Sequence, residues 1–409
     1  MRIRALALAG FGLLSVLAAC DSDKDVQPPA TLVDFRQKMD VKRLWDLHVG
    51  GGKDRRLRLG LAPAVYGSHV YVAGQMGDIY ELDAKTGRVI WHARSALPLS
   101  GGPGVGAGLV VVGSMDGQVL ALDTATGNKA WLVRVSAEVL SAPSVGPNVV
   151  LVRTVDGRVR ALAHDDGHDV WASDESVPRL SLRGTGRPVL AGDAVVCGFD
   201  DGKVVAYNVT GGETLWQTAV SSARGKTELE RMVDVDGELA VSGRDVFAVG
   251  FQGRLAMLAL DTGQIWWARE LSSYRGLAVD GETIYVTNAD SIIGAYRRRD
   301  GTPGWTQDKL ARRGLTAPAV DGDTIVVADY QGYVHWIDKT TGELFARVHT
   351  KKERVTNAPV VADGVVYVQT DGDRVYALRA HRNSRAATPS SPTTGAKATP
   401  TDTTATHTP

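Results

Sequence analysis

The chain of 409 residues carries 46 acidic and 46 basic side chains, so its formal net charge at pH 7 is zero. This balance excludes a nucleic-acid-binding protein that depends on a bulk positive potential. With 46 glycines and 6% aromatic residues, the composition indicates a neutral, turn-rich globular protein.

The first residues of the chain have the features of an export signal. Arg2 and Arg4 precede an apolar run over residues 5–16 that is too short to span a bilayer with ease. The run leads into Leu-Ala-Ala-Cys20, which resembles the lipobox of bacterial lipoproteins; an ordinary secretory signal that happens to contain a cysteine is the alternative. We expect a signal peptide over residues 1–19, lipid on Cys20 and a flexible tether over residues 20–34.

Residues 35–380 repeat with a period of about 40. Pro63, Pro103 and Pro143 are 40 residues apart, and the copies continue to a total of eight. The copies carry outer-strand aromatic residues, which we assign as Trp45, Trp91, Trp131, Trp171, Trp216, Trp266, Trp305 and Phe345. Short alternating segments joined by Asp-Gly turns at this period predict an all-β fold, an eight-bladed β-propeller of four-stranded antiparallel blades.

The two ends of the repeat region predict how the ring closes. The last copy supplies only three strands, whereas Trp45 lies in an extra strand ahead of the first copy. The N-terminal strand should therefore complete the last blade, which removes two free sheet edges. Residues 381–409 hold almost no large apolar side chains and are predicted to form a disordered Thr/Pro/Ser-rich tail.

The sequence offers little catalytic chemistry. The Leu-Asp-x-x-Thr-Gly-x-x-x-Trp core of the repeat resembles the tryptophan-docking motif of quinoprotein alcohol dehydrogenases, many of which carry an adjacent cysteine pair beside pyrroloquinoline quinone and calcium. Here Cys197 is the only cysteine besides Cys20 and is predicted to be a small buried hydrophobe. Asp234-Val-Asp236 could begin a calcium loop, but the positions that follow add no carboxylates at ligand spacing.

We therefore predict a protein that is not an enzyme and has no cofactor and no metal. A periplasmic dehydrogenase dependent on pyrroloquinoline quinone and a generic periplasmic ligand-binding propeller are the two alternatives.

Three long connections between blades indicate the working face, because insertions into one class of loop mark that face in a propeller. Two of them, Trp171 to Pro188 and Trp216 to Leu239, flank the fourth blade and should lie side by side. The third, over residues 50–60, belongs to the ring closure and should lie well round the ring.

The two neighbouring connections contain Leu180-Ser181-Leu182-Arg183 and Asp234-Val-Asp236. If the leucines face outward, they can form a hot spot for a partner. In the other interpretation, the leucines cap the blade core and Arg183 pairs internally with Asp234 or Asp236.

The lipoprotein signal, the eight quinone-free blades, the LSLRG segment and the ELERMVDVDG segment together are similar to the BamB family, the lipoprotein subunits of the outer-membrane β-barrel assembly machinery. The resemblance implies a scaffold that binds the periplasmic POTRA domains of BamA and other subunits of the complex, with unfolded barrel precursors as further candidate partners. It assigns partner contacts to Leu180, Leu182, Arg183, Asp234 and Asp236. It also implies an outer-membrane lipid anchor, although Asp21 resembles an inner-membrane retention signal and leaves that location open.

Overall fold

The computed structural model describes residues 27–50, 59–184, 186–223 and 225–383. The predicted signal peptide, Cys20 and nearly all of the predicted tail lie outside these ranges. Within the described ranges, no helix is long and apolar enough to cross a membrane.

The described strands form eight antiparallel sheets that follow one another along the chain, which confirms the predicted eight-bladed propeller. The first two strands are β1 (Met39–His48) and β2 (Gly60–Leu61). Blades one to four consist of β3 (Ala64–Tyr66), β4 (His69–Ala73), β5 (Asp78–Asp83), β6 (Val89–Arg94); β7 (Leu99–Gly106), β8 (Leu109–Ser114), β9 (Gln118–Asp123), β10 (Lys129–Arg134); β11 (Ser144–Val145), β12 (Val149–Arg153), β13 (Arg158–Ala163), β14 (Asp169–Asp174); and β15 (Val189–Ala191), β16 (Ala194–Gly198), β17 (Lys203–Asn208), β18 (Thr214–Ala219).

A single helical turn, α1 (Glu228–Arg231), follows the fourth blade. Blades five to eight consist of β19 (Ala240–Ser242), β20 (Asp245–Val249), β21 (Arg254–Ala259), β22 (Ile265–Glu270); β23 (Leu277–Asp280), β24 (Thr283–Thr287), β25 (Ile293–Arg297), β26 (Pro303–Gln307); β27 (Ala319–Asp321), β28 (Thr324–Ala328), β29 (Tyr333–Asp338), β30 (Leu344–His349); and β31 (Val360–Ala362), β32 (Val365–Gln369), β33 (Arg374–Arg382).

The N-terminal strand closes the ring, as the sequence predicts. Strand β1 pairs antiparallel with β33 from Met39 opposite Arg382 to His48 opposite Arg374, so blade eight has the strand order β1-β33-β32-β31. One continuous ladder of backbone pairs thus holds the first and last parts of the propeller together. Because β33 has a strand on each side, it has no free edge.

The described part of the predicted tether has contacts with the propeller. Residues 27–34 lie against blade seven, where Ala30 donates its N–H to the Ala311 carbonyl at 3.0 Å and Leu32 packs on the blade core. Arg312 and Arg313 donate to the carbonyls of Pro28 and Ala30. Backbone hydrogen bonds and apolar contact hold this half of the segment on the propeller.

The core lies between neighbouring blades, where apolar side chains of alternate strand positions meet. Between blades three and four, Leu151 and Trp171 pack with Val195, Cys197 and Tyr207. Cys197 is fully buried and unpaired, which confirms its predicted role as a small hydrophobe. Burial raises the pKa of its thiol to about 12.

The outer-strand aromatics join most blades to the next, but two of the eight assignments, Trp266 and Phe345, are wrong. Trp91 and Trp131 donate their indole N–H to backbone carbonyls of the following blade at 2.8 Å. In blade five this role belongs to Trp267, which donates to the Arg298 carbonyl at 2.9 Å, whereas 54% of Trp266 is exposed. The outer strands share a one-residue bulge: β10 skips the residue before Trp131, β22 skips Trp266 and β30 skips Phe345. Trp267 and Ala346 therefore hold the register that Trp131 holds in blade two.

The described end of the connection over residues 50–60 contacts the blades on both sides of blade one. Strand β2 adds to the central side of the inner strand of blade two, and Asn357 donates to the carbonyls of Leu59 and Leu61 at 2.9 and 2.8 Å. Residues 51–58 lie outside the described ranges. The segment Leu59–Leu61 thus spans from blade eight to blade two, beside the ring closure at which the sequence places this connection.

Candidate partner-binding face

The connections that lead into the inner strands surround a central cavity of about 690 Å³. Every blade contributes to its wall near the start of its inner strand, through Pro63, Pro103, Ala142, Arg187, Glu238, Leu277, Pro318 and Pro359. The long connections before blades four and five therefore lie at the mouth of this cavity, on one face of the propeller.

The two long connections touch each other there, as predicted. The Leu182 N–H donates to a carboxylate oxygen of Asp234 at 3.3 Å. Gly186 lies so close to Gly237 that a Cβ atom would come within 3.0 Å of the Gly237 carbonyl oxygen. A hydrogen bond and close backbone packing thus join the segment Leu180–Arg183, which we call the docking loop, to the connection before blade five.

The two leucines of the docking loop have different environments. Leu180 lies outside the strands and the helix, and 42% of it is exposed. Leu182 is half-buried and lines the central cavity. Leu180 can therefore insert into a partner, whereas Leu182 holds the loop against the mouth of the ring.

Arg183 pairs with a residue that the sequence reasoning missed. Its guanidinium donates two hydrogen bonds to the Glu138 carboxylate, at 2.8 and 3.1 Å. Glu138 lies in the connection before blade three, and only 14% of its side chain is exposed. The internal pairing of Arg183 with Asp234 or Asp236 is therefore corrected. Glu138 is the sole charged residue in the segment VSAEVLSAP, and this isolation could have marked it in the sequence as a partner for Arg183.

Asp234 and Asp236 lie beneath the docking loop, not on the surface. Asp234 is 1% exposed, and the Asp236 side chain is 5% exposed. Arg153, at the end of β12, places one guanidinium nitrogen 2.6 Å from Asp200 and 3.2 Å from Asp236. We call Arg153, Asp200, Asp234 and Asp236 the buried acidic cluster.

The charges of this cluster do not balance, since one guanidinium faces three carboxylates. Burial, followed by the negative charge of Asp200, raises the pKa of Asp234 to about 7. Burial raises the pKa of Asp236 well above its usual range, although the Arg153 charge acts in the opposite direction. Both shifts favour a protonated carboxyl in the folded state.

The cluster also has the spacing of a cation site. Oxygen atoms of Asp200, Asp234 and Asp236 lie within 4.8 Å of one another. Arg153, however, contacts two of these carboxylates and already supplies a positive charge between them. The sequence reasoning could not assemble this cluster, because Asp200 resembles an ordinary turn residue beside Asp201-Gly202 and Arg153 lies at the end of an apolar strand.

Helix α1 presents a second exposed apolar side chain on the connection before blade five. Thr227 and Glu230 form a reciprocal capping box, and Gln252 donates to the Leu229 carbonyl at 3.2 Å. Leu229 is 61% exposed. The helix lies within the ELERMVDVDG segment, but nothing in the sequence of that segment distinguishes Leu229.

The fold is that of the eight-bladed propellers with PQQ-like repeats. A quinohemoprotein alcohol dehydrogenase from Comamonas testosteroni superposes with a TM-score of 0.63 at 13% identity, over 85% of this chain and 78% of that one. At this identity the likeness concerns the fold alone.

Closer comparisons identify the family. The family model described as outer membrane protein assembly factor BamB matches residues 31–98, 75–307 and 289–386. Outer membrane protein assembly factor BamB of Pseudomonas aeruginosa is 46% identical over 372 residues, which are 91% of this chain and 97% of that protein. The crystal structure of BamB from Moraxella catarrhalis has a TM-score of 0.76 at 26% identity and covers 83% of this chain and 100% of its own. The chain belongs to the BamB family.

Proposed function

We propose that the chain is a non-enzymatic assembly factor for outer-membrane proteins, whose propeller docks on the periplasmic POTRA domains of BamA. The observation that carries this proposal is the exposed Leu180 on a loop whose next residues, Leu182 and Arg183, are both anchored. A leucine that leaves water on binding contributes about 1.5 to 3 kcal/mol. Because the loop is already ordered, little of this is lost to ordering on association.

The two anchors of the docking loop support this assignment. The Arg183 and Glu138 side chains tie the loop to the connection before blade three, and the Leu182 N–H ties it to Asp234. In this proposal Leu180 contacts the partner directly. Asp234 and Asp236 contribute indirectly, since they hold the loop from below, and the exposed Leu229 extends the apolar contact.

The cysteine content favours a scaffold over the quinone-dependent dehydrogenase. Cys20 and Cys197 are the two cysteines of the chain, so it lacks the adjacent cysteine pair that many quinoprotein alcohol dehydrogenases carry beside the quinone.

The lipid anchor forms part of the same proposal. Lipid on Cys20 would hold the propeller at the periplasmic face of the outer membrane, seven residues ahead of Gln27. Because the segment that follows lies on blade seven, this blade would be the one nearest the anchored end of the chain.

Binding to the cognate POTRA region tests the proposal. Leu180→Ala should weaken binding at least tenfold, which corresponds to the loss of about 1.4 kcal/mol or more. Titration by biolayer interferometry measures this change. Leu215→Ala is the matched control, because Leu215 is 51% exposed on the outer strand of the adjacent blade four. Equal affinities for wild type and Leu180→Ala, with the variant folded, would refute the assignment.

A further inference from the structure

The buried acidic cluster has polar atoms that the described contacts leave unsatisfied. One oxygen of Asp234 and both oxygens of Asp236 are shielded from solvent and accept no hydrogen bond. One of the two Asp236 oxygens lies 3.2 Å from the Arg153 guanidinium as an ion-pair contact. The remaining oxygen of Asp234 accepts the Leu182 N–H of the docking loop. An ionised carboxylate without a donor is costly in the interior, so the cluster needs a further positive charge or a donor hydrogen.

A proton fits the cluster better than a metal ion. The Arg153 guanidinium stands between Asp200 and Asp236, where it would repel a cation bound by the same oxygens. Carboxylate oxygens of Asp234 and Asp236 lie within 4.8 Å of each other. Two neighbouring carboxyl groups in one buried site retain a proton that neither group would hold alone. One O–H between them supplies the missing donor.

We propose that Asp234 and Asp236 share one proton, and that this proton and Arg153 together keep the docking loop fixed to the propeller. In the protonated state the connection before blade five stays seated beneath the loop and accepts the Leu182 N–H. Loss of the proton leaves three carboxylates against one guanidinium, and their repulsion displaces the connection and frees the loop. The biological use of this device rests on the proposed function, since it would make partner docking depend on pH.

The charged groups around the pair give the direction of the effect. Asp200 opposes ionisation of the pair and Arg153 favours it, while the Cys197 thiol beside Arg153 stays neutral because burial raises its pKa to about 12. The folded pKa of Asp234, about 7, exceeds its ordinary value of 3.8. The stability contributed by this proton is therefore complete below the ordinary value and declines as the pH rises through 7.

Hydrogen exchange of the Leu182 amide in the full mature chain tests the proposal. After correction for the intrinsic exchange rate, the protection of this amide should fall about tenfold from pH 6 to pH 8, in step with the titration of one group. Asp236→Asn replaces the protonated carboxyl by an amide of the same shape and cannot titrate. In that variant, protection should remain high across the same range.

Asp371→Asn is the control, because Asp371 is a buried carboxyl in blade eight whose pKa burial also raises. This variant should keep the wild-type pH dependence at Leu182. The proposal would be overturned if protection of the Leu182 amide in the wild type did not change with pH, or if it changed equally in Asp236→Asn. If Asp236→Asn does not fold, Asp234→Asn takes its place. Protection restored at pH 8 by millimolar calcium or magnesium would also overturn it, since the cluster would then be a cation site. The measurement uses the isolated protein, so its result does not depend on whether POTRA domains bind.

Discussion

Single glycines determine whether the aromatic residues can dock between blades. Gly212 has a φ of +77°, and a Cβ atom there would come within 2.6 Å of the Trp171 ring. Gly192 has a φ of +64° but open space around its Cβ direction. Alanine substitutions at these two glycines therefore distinguish two contributions to the free energy of unfolding. Both substitutions place alanine in a left-handed backbone conformation, but only the one at Gly212 displaces the Trp171 ring.

We expect Gly192→Ala to lower the free energy of unfolding by about 1 to 2 kcal/mol, because alanine disfavours positive φ. Gly212→Ala should lower it by a further ~1 to 3 kcal/mol, because its methyl group collides with Trp171. Urea denaturation of both variants measures the difference. Equal losses would show that Trp171 adapts to the methyl group without cost.

Two adjacent tryptophans in blade five offer a second test at the scale of the residue. Trp267→Phe removes the indole hydrogen bond to the Arg298 carbonyl and should lower the free energy of unfolding by about 1 kcal/mol. Trp266→Phe should leave it nearly unchanged, because that ring is 54% exposed at a bulge. Thermal denaturation compares the two, and the opposite ranking would restore the sequence-based assignment of Trp266.

At the scale of the element, the Asp-x-x-Thr-Gly turns between outer strands depend on an ionised aspartate. Asp123 accepts hydrogen bonds from the amide and the hydroxyl of Thr126, and Gly127 takes a φ of +70°. The Thr126 hydroxyl, followed by the Thr126 amide, lowers the pKa of Asp123 below its usual value. The turn is thus formed by local chemistry that recurs around Asp83 and Thr86.

The lowered pKa of Asp123 predicts an acid dependence of stability. Because the folded pKa lies below the unfolded one, the contribution is present above the unfolded value of 3.8 and is lost as the pH falls through the folded value. Asp123→Asn should therefore lower Tm at pH 7 and leave it closer to wild type near pH 3. Differential scanning calorimetry at the two pH values checks this, and a Tm difference that is equal at both would contradict it.

At the scale of the whole molecule, closure of the ring depends on one strand from the opposite end of the chain. Strand β1 covers the edge of β33, and Trp45 and Val41 pack with residues of blade eight or its neighbours. Without β1, blade eight would expose a nine-residue edge strand, which is a template for association between chains.

Deletion of residues 21–48 should therefore yield oligomers or aggregates in size-exclusion chromatography with light scattering. Deletion of residues 384–409, which lie beyond β33, should leave the elution profile of the mature protein unchanged. A truncated chain without β1 that elutes like the wild type would show that blade eight is stable with three strands.

The sequence alone determined the blade architecture, because the information is local. The period of about 40 residues recurs around the ring, and the Asp-Gly turns and the indole at one register recur in most copies. Trp45 ahead of an incomplete last copy was enough to predict the closing strand. The same reasoning placed the docking loop beside Asp234 and Asp236, since loops before adjacent blades open on one face.

Only the tertiary structure decided what those residues contact. Arg183 meets Glu138 from the connection before blade three, and Arg153 and Asp200 reach Asp234 and Asp236 from two other blades. Such pairs are separated by more than 30 residues and leave no periodic signal in the sequence. The docking role of Trp267, in contrast, follows from the repeat, since Trp267 lies four residues after Gly263, as Trp131 lies four residues after Gly127. Register and burial depend on how the blades pack, so the polar partners of the site could not be derived from the repeat.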